Sequence, residues 1–139
     1  MLSYEQPPGN DMAQKRQDAV NDFASFVRLA DIAATTRTAD HGGLGAIAFR
    51  RLLTETNFSS AVDFVDLSVI PPASTIGKHQ HHDSEEIYFI ASGSPLVTVN
   101  GDSRRLTRGD VSVVRSGEWH ELVNDTSEPV EIFVVQVSL

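Results

Sequence analysis

Gly77-Lys78-His79-Gln80-His81-His82-Asp83-Ser84-Glu85-Glu86 holds three of the chain's five histidines within four positions, followed by two adjacent carboxylates. On a strand, residues i and i+2 share a face, so His79 and His81 can present two imidazoles side by side. Paired imidazoles suit a divalent metal, and a carboxylate returning across a tight turn, from Glu85 or Glu86, can supply an anionic oxygen ligand. Taken alone, the segment reads equally as a solvated polar turn. Alternation permits only one of the two glutamates to face inward. Tyr88 and Ile90 share the Glu86 face, so Tyr88 is either a pocket phenol able to donate to a bound oxygen or a core aromatic.

Around this stretch the hydrophobic period is close to two. Short runs rich in Val, Ile, Leu and Phe are separated by Gly, Pro, Asn and Asp: Leu44–Leu53, Ala61–Ile70, Gly77–His81, Glu86–Ala91, Leu96–Val99, Ser103–Leu106, Val111–Arg115, His120–Val123 and Val130–Val137. Many short strands at near-regular spacing predict an all-β sandwich or barrel. Asn100-Gly101 between two such runs is a hairpin signal, because both residues tolerate positive φ. A second polar segment runs from Gly109 through Gly117-Glu118-Trp119-His120 to Asn124. On its own, His120 beside a tryptophan is a packed histidine or a ligand.

The two segments together resemble the cupin superfamily, whose motifs read G-x5-H-x-H-x3,4-E-x6-G and G-x5-P-x-G-x2-H-x3-N. The first places its ligands on His79, His81 and Glu86, with Gly93 closing it; the second matches Gly109, Gly117, His120 and Asn124. Two positions depart. Arg115 stands where the second motif has proline, and one residue separates Gly77 from His79 where five separate the motif's opening glycine from its first histidine. The resemblance covers about two thirds of the chain, from Leu44 to Val137. It implies a double-stranded β-helix, or jelly-roll barrel, over residues 44–139, preceded by a tail, helix and linker over 1–43. It also implies one divalent ion (Fe, Mn, Zn, Ni or Co) held by His79, His81, Glu86 and His120, with open positions for water, dioxygen or a chelating substrate. The implied activity is a metal-dependent small-molecule enzyme, an oxygenase or an isomerase/cyclase acting on a carbonyl, enol or polyhydroxylated compound. The alternative is a non-catalytic module that binds metal and a small ligand. Small cupins often pair, so a homodimer is expected.

The rest of the chain sets bounds on this reading. Its 139 residues suffice for one core. The absence of cysteine excludes a disulfide framework, a thiolate metal site and a cysteine nucleophile. A net charge of −8 argues against nucleic acid and anionic membranes as partners. That charge belongs entirely to residues 53–139, which carry thirteen acids and five bases against six of each in residues 1–52. No basic leader and no long apolar run is present, so a cytoplasmic location is expected. Asp11 with Gln14 resembles a capping box, and Val20, Phe23, Val27, Ala30 and Ala34 recur at helical spacing. They predict an amphipathic helix over Asp11–Ala34, followed by a linker, Thr35–Gly43, in which His41 has no evident partner. Of the adjacent Arg50 and Arg51, one must face inward, where it could bind a substrate carboxylate or remain a solvated arginine. Trp119 is expected to face away from His120.

Overall fold

The computed structural model describes residues 25–139, which form two facing antiparallel sheets. Ten strands are described: β1 (Thr35–Thr38), β2 (Ala46–Thr54), β3 (Val62–Ile70), β4 (Thr75–Gln80), β5 (Ser84–Ser92), β6 (Leu96–Val99), β7 (Asp102–Arg105), β8 (Val111–Val114), β9 (Trp119–Val123) and β10 (Val130–Ser138). The six-stranded sheet has the order β1-β2-β3-β10-β5-β8, and the four-stranded sheet the order β4-β9-β6-β7. The spacing of the apolar runs predicts an all-β sandwich or barrel, and the two facing sheets are the jelly roll that the cupin resemblance implies.

Two expectations for the N-terminal third are corrected. The helix expected over Asp11–Ala34 lies outside the described residues as far as residue 24. Residues 25–34 contain only a 3-10 turn, Leu29–Asp31, flanked by extended backbone at Arg28 and Ile32. Tertiary contact overrides helical spacing there: Ile32 is buried, and its carbonyl accepts a hydrogen bond from Arg50 Nε at 2.9 Å instead of serving a helix ladder. The segment expected as a linker is β1 and a second 3-10 turn, Asp40–Gly42. β1 pairs in register with β2, Thr38 facing Ala46. The sheet therefore begins at Thr35 and not at Leu44.

Alternation sends Ile90, Ile132 and Ile70 inward from the large sheet and Val97, Leu122 and Ile76 inward from the small one, and together they form the apolar core. Burying each such side chain contributes on the order of 2 kcal/mol. Phe89 faces Phe133 on the outer surface of the large sheet, with ring centroids 6.5 Å apart. The Asn100-Gly101 hairpin forms as expected, with φ of 47° and 79°. Asn124, fully buried, donates to the carbonyls of Ile70 and Glu128 and so ties β9 to the ends of β3 and β10.

The two departures from the motifs have local accounts. At Arg115 the backbone N–H, which proline would lack, donates to Glu118 Oε2 at 2.8 Å and closes the turn before β9. Six residues before His79 stands Ala73, at the third position of a turn in which Ser74 N–H donates to Pro71 O. Its φ of 60° lies where a Cβ is strained and glycine is not. Ala73→Gly is therefore expected to stabilise the fold by about 1 kcal/mol. Denaturant midpoints of the two proteins check this, and an equal or lower midpoint for the variant contradicts it.

Candidate metal centre

His79 and His120 are directly opposed on neighbouring strands β4 and β9. His81 follows the end of β4, where its N–H donates to Glu118 O and its carbonyl accepts from Gly117 N. Glu86 comes from β5 in the other sheet. The centre thus spans the interior, three imidazoles from one wall and one carboxylate from the opposite wall. All four are drawn in: His120 is 2% exposed and His81 and Glu86 7% each, while His79 is half-buried.

The three histidine Nε2 atoms converge at 3.2 Å (His79–His81), 3.1 Å (His81–His120) and 2.9 Å (His79–His120). Glu86 Oε1 lies 3.5 Å from His81 Nε2 and 3.4 Å from His120 Nε2. Adjacent ligands about 2.1 Å from one octahedral ion are about 3.0 Å apart, so the spacing matches a shared cation. Hydrogen bonding alone does not satisfy it. His79 Nδ1 lies 2.7 Å from Gly77 O, which can only accept, so Nδ1 carries the proton and the neutral ring turns a lone pair inward. His81 Nδ1 is held by Ser84 Oγ at 3.2 Å. Three nitrogens aimed at one point, one with its tautomer set by a backbone carbonyl, beside a carboxylate, form a donor set able to hold a metal ion.

Charge in the cluster follows its surroundings. Burial lowers His79 to about 4 against an ordinary 6.5, with the Gly77 carbonyl opposing the shift and His41 and His120 adding to it. Burial alone would raise Glu86, but contacts with His120 and His81 outweigh it and hold the carboxyl at about 2. Burial, then the charges of Glu86 and Asp40, push Tyr88 well above the ordinary phenol range, so its hydroxyl keeps its proton. Tyr88 stacks on His120, with centroids 4.6 Å apart, and its hydroxyl is 3.4 Å from His120 Nε2.

His81 and Glu86 of the cluster also line a cavity of about 260 Å³. Tyr88, Arg51, Asp66 and Phe64 are among the other residues that line it. Of the adjacent arginines, Arg51 faces inward, but Asp66 grips it through two bonds of 3.0 Å, and its guanidinium lies over the Phe64 ring. Arg50 turns to Ile32. Glu85 and Trp119 take the opposite faces from Glu86 and His120, as alternation requires. His82 lies in the exposed turn before β5. His41, expected to have no partner, instead stacks on His79 with centroids 3.7 Å apart. The strand pattern carried no signal for His41, because its turn is placed by long-range packing. Asp66 was visible as an acid in an apolar run, on the inward face with Phe64 and Ser68.

A family model described as the cupin domain matches residues 66–136, about half of the chain, including all four converging ligands. The chain belongs to the cupin family. An oxalate-binding protein of Thermotoga maritima is 28% identical over 113 residues, covering 81% of this chain and 93% of that one. The crystal structure of a protein described as a predicted oxalate decarboxylase, also from T. maritima, is similar with a TM-score of 0.79 at 28% identity, over 82% of this chain and 99% of that one. A gentisate 1,2-dioxygenase of a Ralstonia species is 26% identical over 72 residues, 52% of this chain but 20% of that enzyme. Among the described residues no helix is long and apolar enough to cross a membrane.

The shifts in this cluster have a definite sign. With His79 at about 4 when folded and 6.5 when unfolded, the unfolded chain takes up this proton first. Stability of the metal-free protein is therefore full above about pH 6.5 and declines as the pH falls towards 4. Glu86, at about 2 against an ordinary 4.5, extends the loss below pH 4.5. Thermal melts of metal-free protein between about pH 8 and pH 4 should show a falling Tm, with a shallower slope in His79→Ala. A Tm that stays level across that range would contradict the assignment.

Proposed function

We propose that this cupin is a metal-dependent enzyme acting on a small compound that chelates through oxygen, with His79, His81, Glu86 and His120 holding one divalent ion. The observation that carries the proposal is the convergence of four donor atoms, two of them from His81 and Glu86 in the lining of a cavity large enough for a small organic molecule. Four protein donors leave open positions on an ion that accepts six. A divalent ion there supplies Lewis-acid polarisation of oxygen donors and, if it is iron, dioxygen chemistry. The chain's own residues bind and orient. His79 is kept neutral with its lone pair inward, and Glu86 stays anionic. Tyr88 donates a hydrogen bond from its retained proton to an oxygen beside His120. Ile76, Phe64 and Val134 line the cavity with apolar surface and exclude water.

The likeness to a gentisate 1,2-dioxygenase supports oxygenase chemistry on an aromatic hydroxy acid. The name of the oxalate-binding relative supports a second reading, a module that holds a small ligand without turnover. That reading is favoured by Arg51, whose Nε and Nη2 are both engaged by Asp66, so that this cavity cation is already paired.

Metal analysis of the purified chain should return about one equivalent of a first-row divalent metal, and His79→Ala/His81→Ala should lose it. Retention of a full equivalent by that double variant would sink the ligand assignment. Dioxygen consumption by iron-loaded protein over a panel of hydroxybenzoates separates the two readings, since saturable binding without consumption across the panel favours the module. Tyr88→Phe should keep the metal and lower turnover by about ten- to a hundredfold, the usual range for a donor to developing charge.

A further inference from the structure

Strand β1 and the turn that joins it to β2 contribute three residues to the cavity lining, Arg37 from β1 and Asp40 and His41 from the turn, and the metal ligands do not need them. The turn is built at a cost. Ala39 and His41 both hold left-handed backbone, with φ of 52° and 50°, which is unfavourable for residues bearing a Cβ. The turn rests against β4 at Gly77, where a Cβ would collide with the His41 carbonyl. The same glycine supplies the carbonyl that sets the His79 tautomer. One small residue therefore seats both the metal ligand and the turn beside it.

What β1 and the turn present is specific. The His41 ring lies 3.7 Å from the His79 ring and within 9° of parallel, next to the converging nitrogens. Among the described residues its ring nitrogens make no hydrogen bond. Arg37 lies over Phe49, its guanidinium carbon 4.4 Å from the ring centroid, and gives one N–H, from Nη1, to the buried Asp40 at 3.1 Å. A guanidinium has five N–H donors, so Arg37 has more donors than Asp40 engages. Arg51, by contrast, is engaged with Asp66 through Nε and Nη2 together.

Charge selects the ligand class. Two guanidiniums (Arg37, Arg51) and three carboxylates (Asp40, Asp66, Glu86) line the cavity, a net single negative charge. A divalent ion reverses it to a single positive charge, so the loaded cavity attracts an anion that the empty one repels. We propose that β1 and the β1–β2 turn form the ligand-recognition element of this cupin, with Arg37 and His41 binding the carboxylate of a small anion next to the metal ligands. The proposal rests on the metal-centre reading above and adds the ligand's class and the residues that choose it.

Calorimetric titration of the manganese-loaded full chain with oxalate, with neutral oxamide as the control, tests it alongside metal analysis of every sample. The parent should bind oxalate in preference to oxamide, and only when loaded. Arg37→Gln, which removes the charge and donors, and His41→Phe, which keeps a ring to stack on His79, should each weaken oxalate binding about tenfold or more while keeping one metal per chain. Arg37→Lys should recover part of the loss, and none of the three variants should alter the response to oxamide. Oxalate affinities within twofold of the parent, with metal retained, overturn the recognition role alone. A loaded parent that does not prefer oxalate overturns the carboxylate assignment. A parent that takes up no metal overturns the centre and the recognition role together, and the metal analysis identifies that failure separately.

Discussion

The two sheets enclose four polar groups that neither sheet could bury alone. An imidazole or carboxylate taken out of water without a partner costs several kcal/mol, and here three imidazoles and one carboxylate bring their donor atoms within 4.8 Å of one another between the layers. They are tolerable because they share one centre. The small sheet supplies the neutral donors, the large sheet supplies the charge, and a cation between them would link the sheets as well as serve chemistry, so metal affinity and folding are coupled. The apolar core lies beside this centre, with Tyr88 belonging to both.

Seen from that centre, the small residues around it have distinct tasks. Gly77 lies within the register shift between Ile76 and His79 on β4, and its missing side chain admits the β1–β2 turn. Gly117, with φ of 87°, turns the chain so that β9 delivers His120 opposite His79. Asn124 anchors the far end of β9 by donating to the carbonyl of the core residue Ile70 and to that of Glu128 in the loop before β10. These are the positions at which the backbone itself, more than any side-chain contact, decides where the imidazoles stand.

Much of this was legible in the chain. Alternation correctly separated Glu86 from Glu85 and His120 from Trp119, because a pleated strand with one buried face allows no other assignment. The hairpin at Asn100-Gly101 follows from two residues that accept positive φ. Over residues 25–43 the structure departs from the expected helix and linker for a physical reason. Val27, Ala30 and Ala34 have helical spacing, but spacing is a weak constraint when a neighbouring strand offers Arg50 as a donor and a buried seat for Ile32. Thr35–Thr38 looked like linker because all four residues are exposed and an edge strand needs no apolar face.

By itself the sequence displayed the candidate donor residues, their spacing and an all-β class of fold, and the cupin resemblance joined His79, His81, Glu86 and His120 into one set. Only the tertiary structure decided what surrounds the ligands. His41 meets His79 across a separation of 38 residues, Arg51 is captured by Asp66 from the next strand, and Arg37 is laid on Phe49. Such meetings depend on sheet register, on how one backbone seats against another and on a glycine's missing Cβ. No local pattern encodes these, because they arise from packing between distant segments.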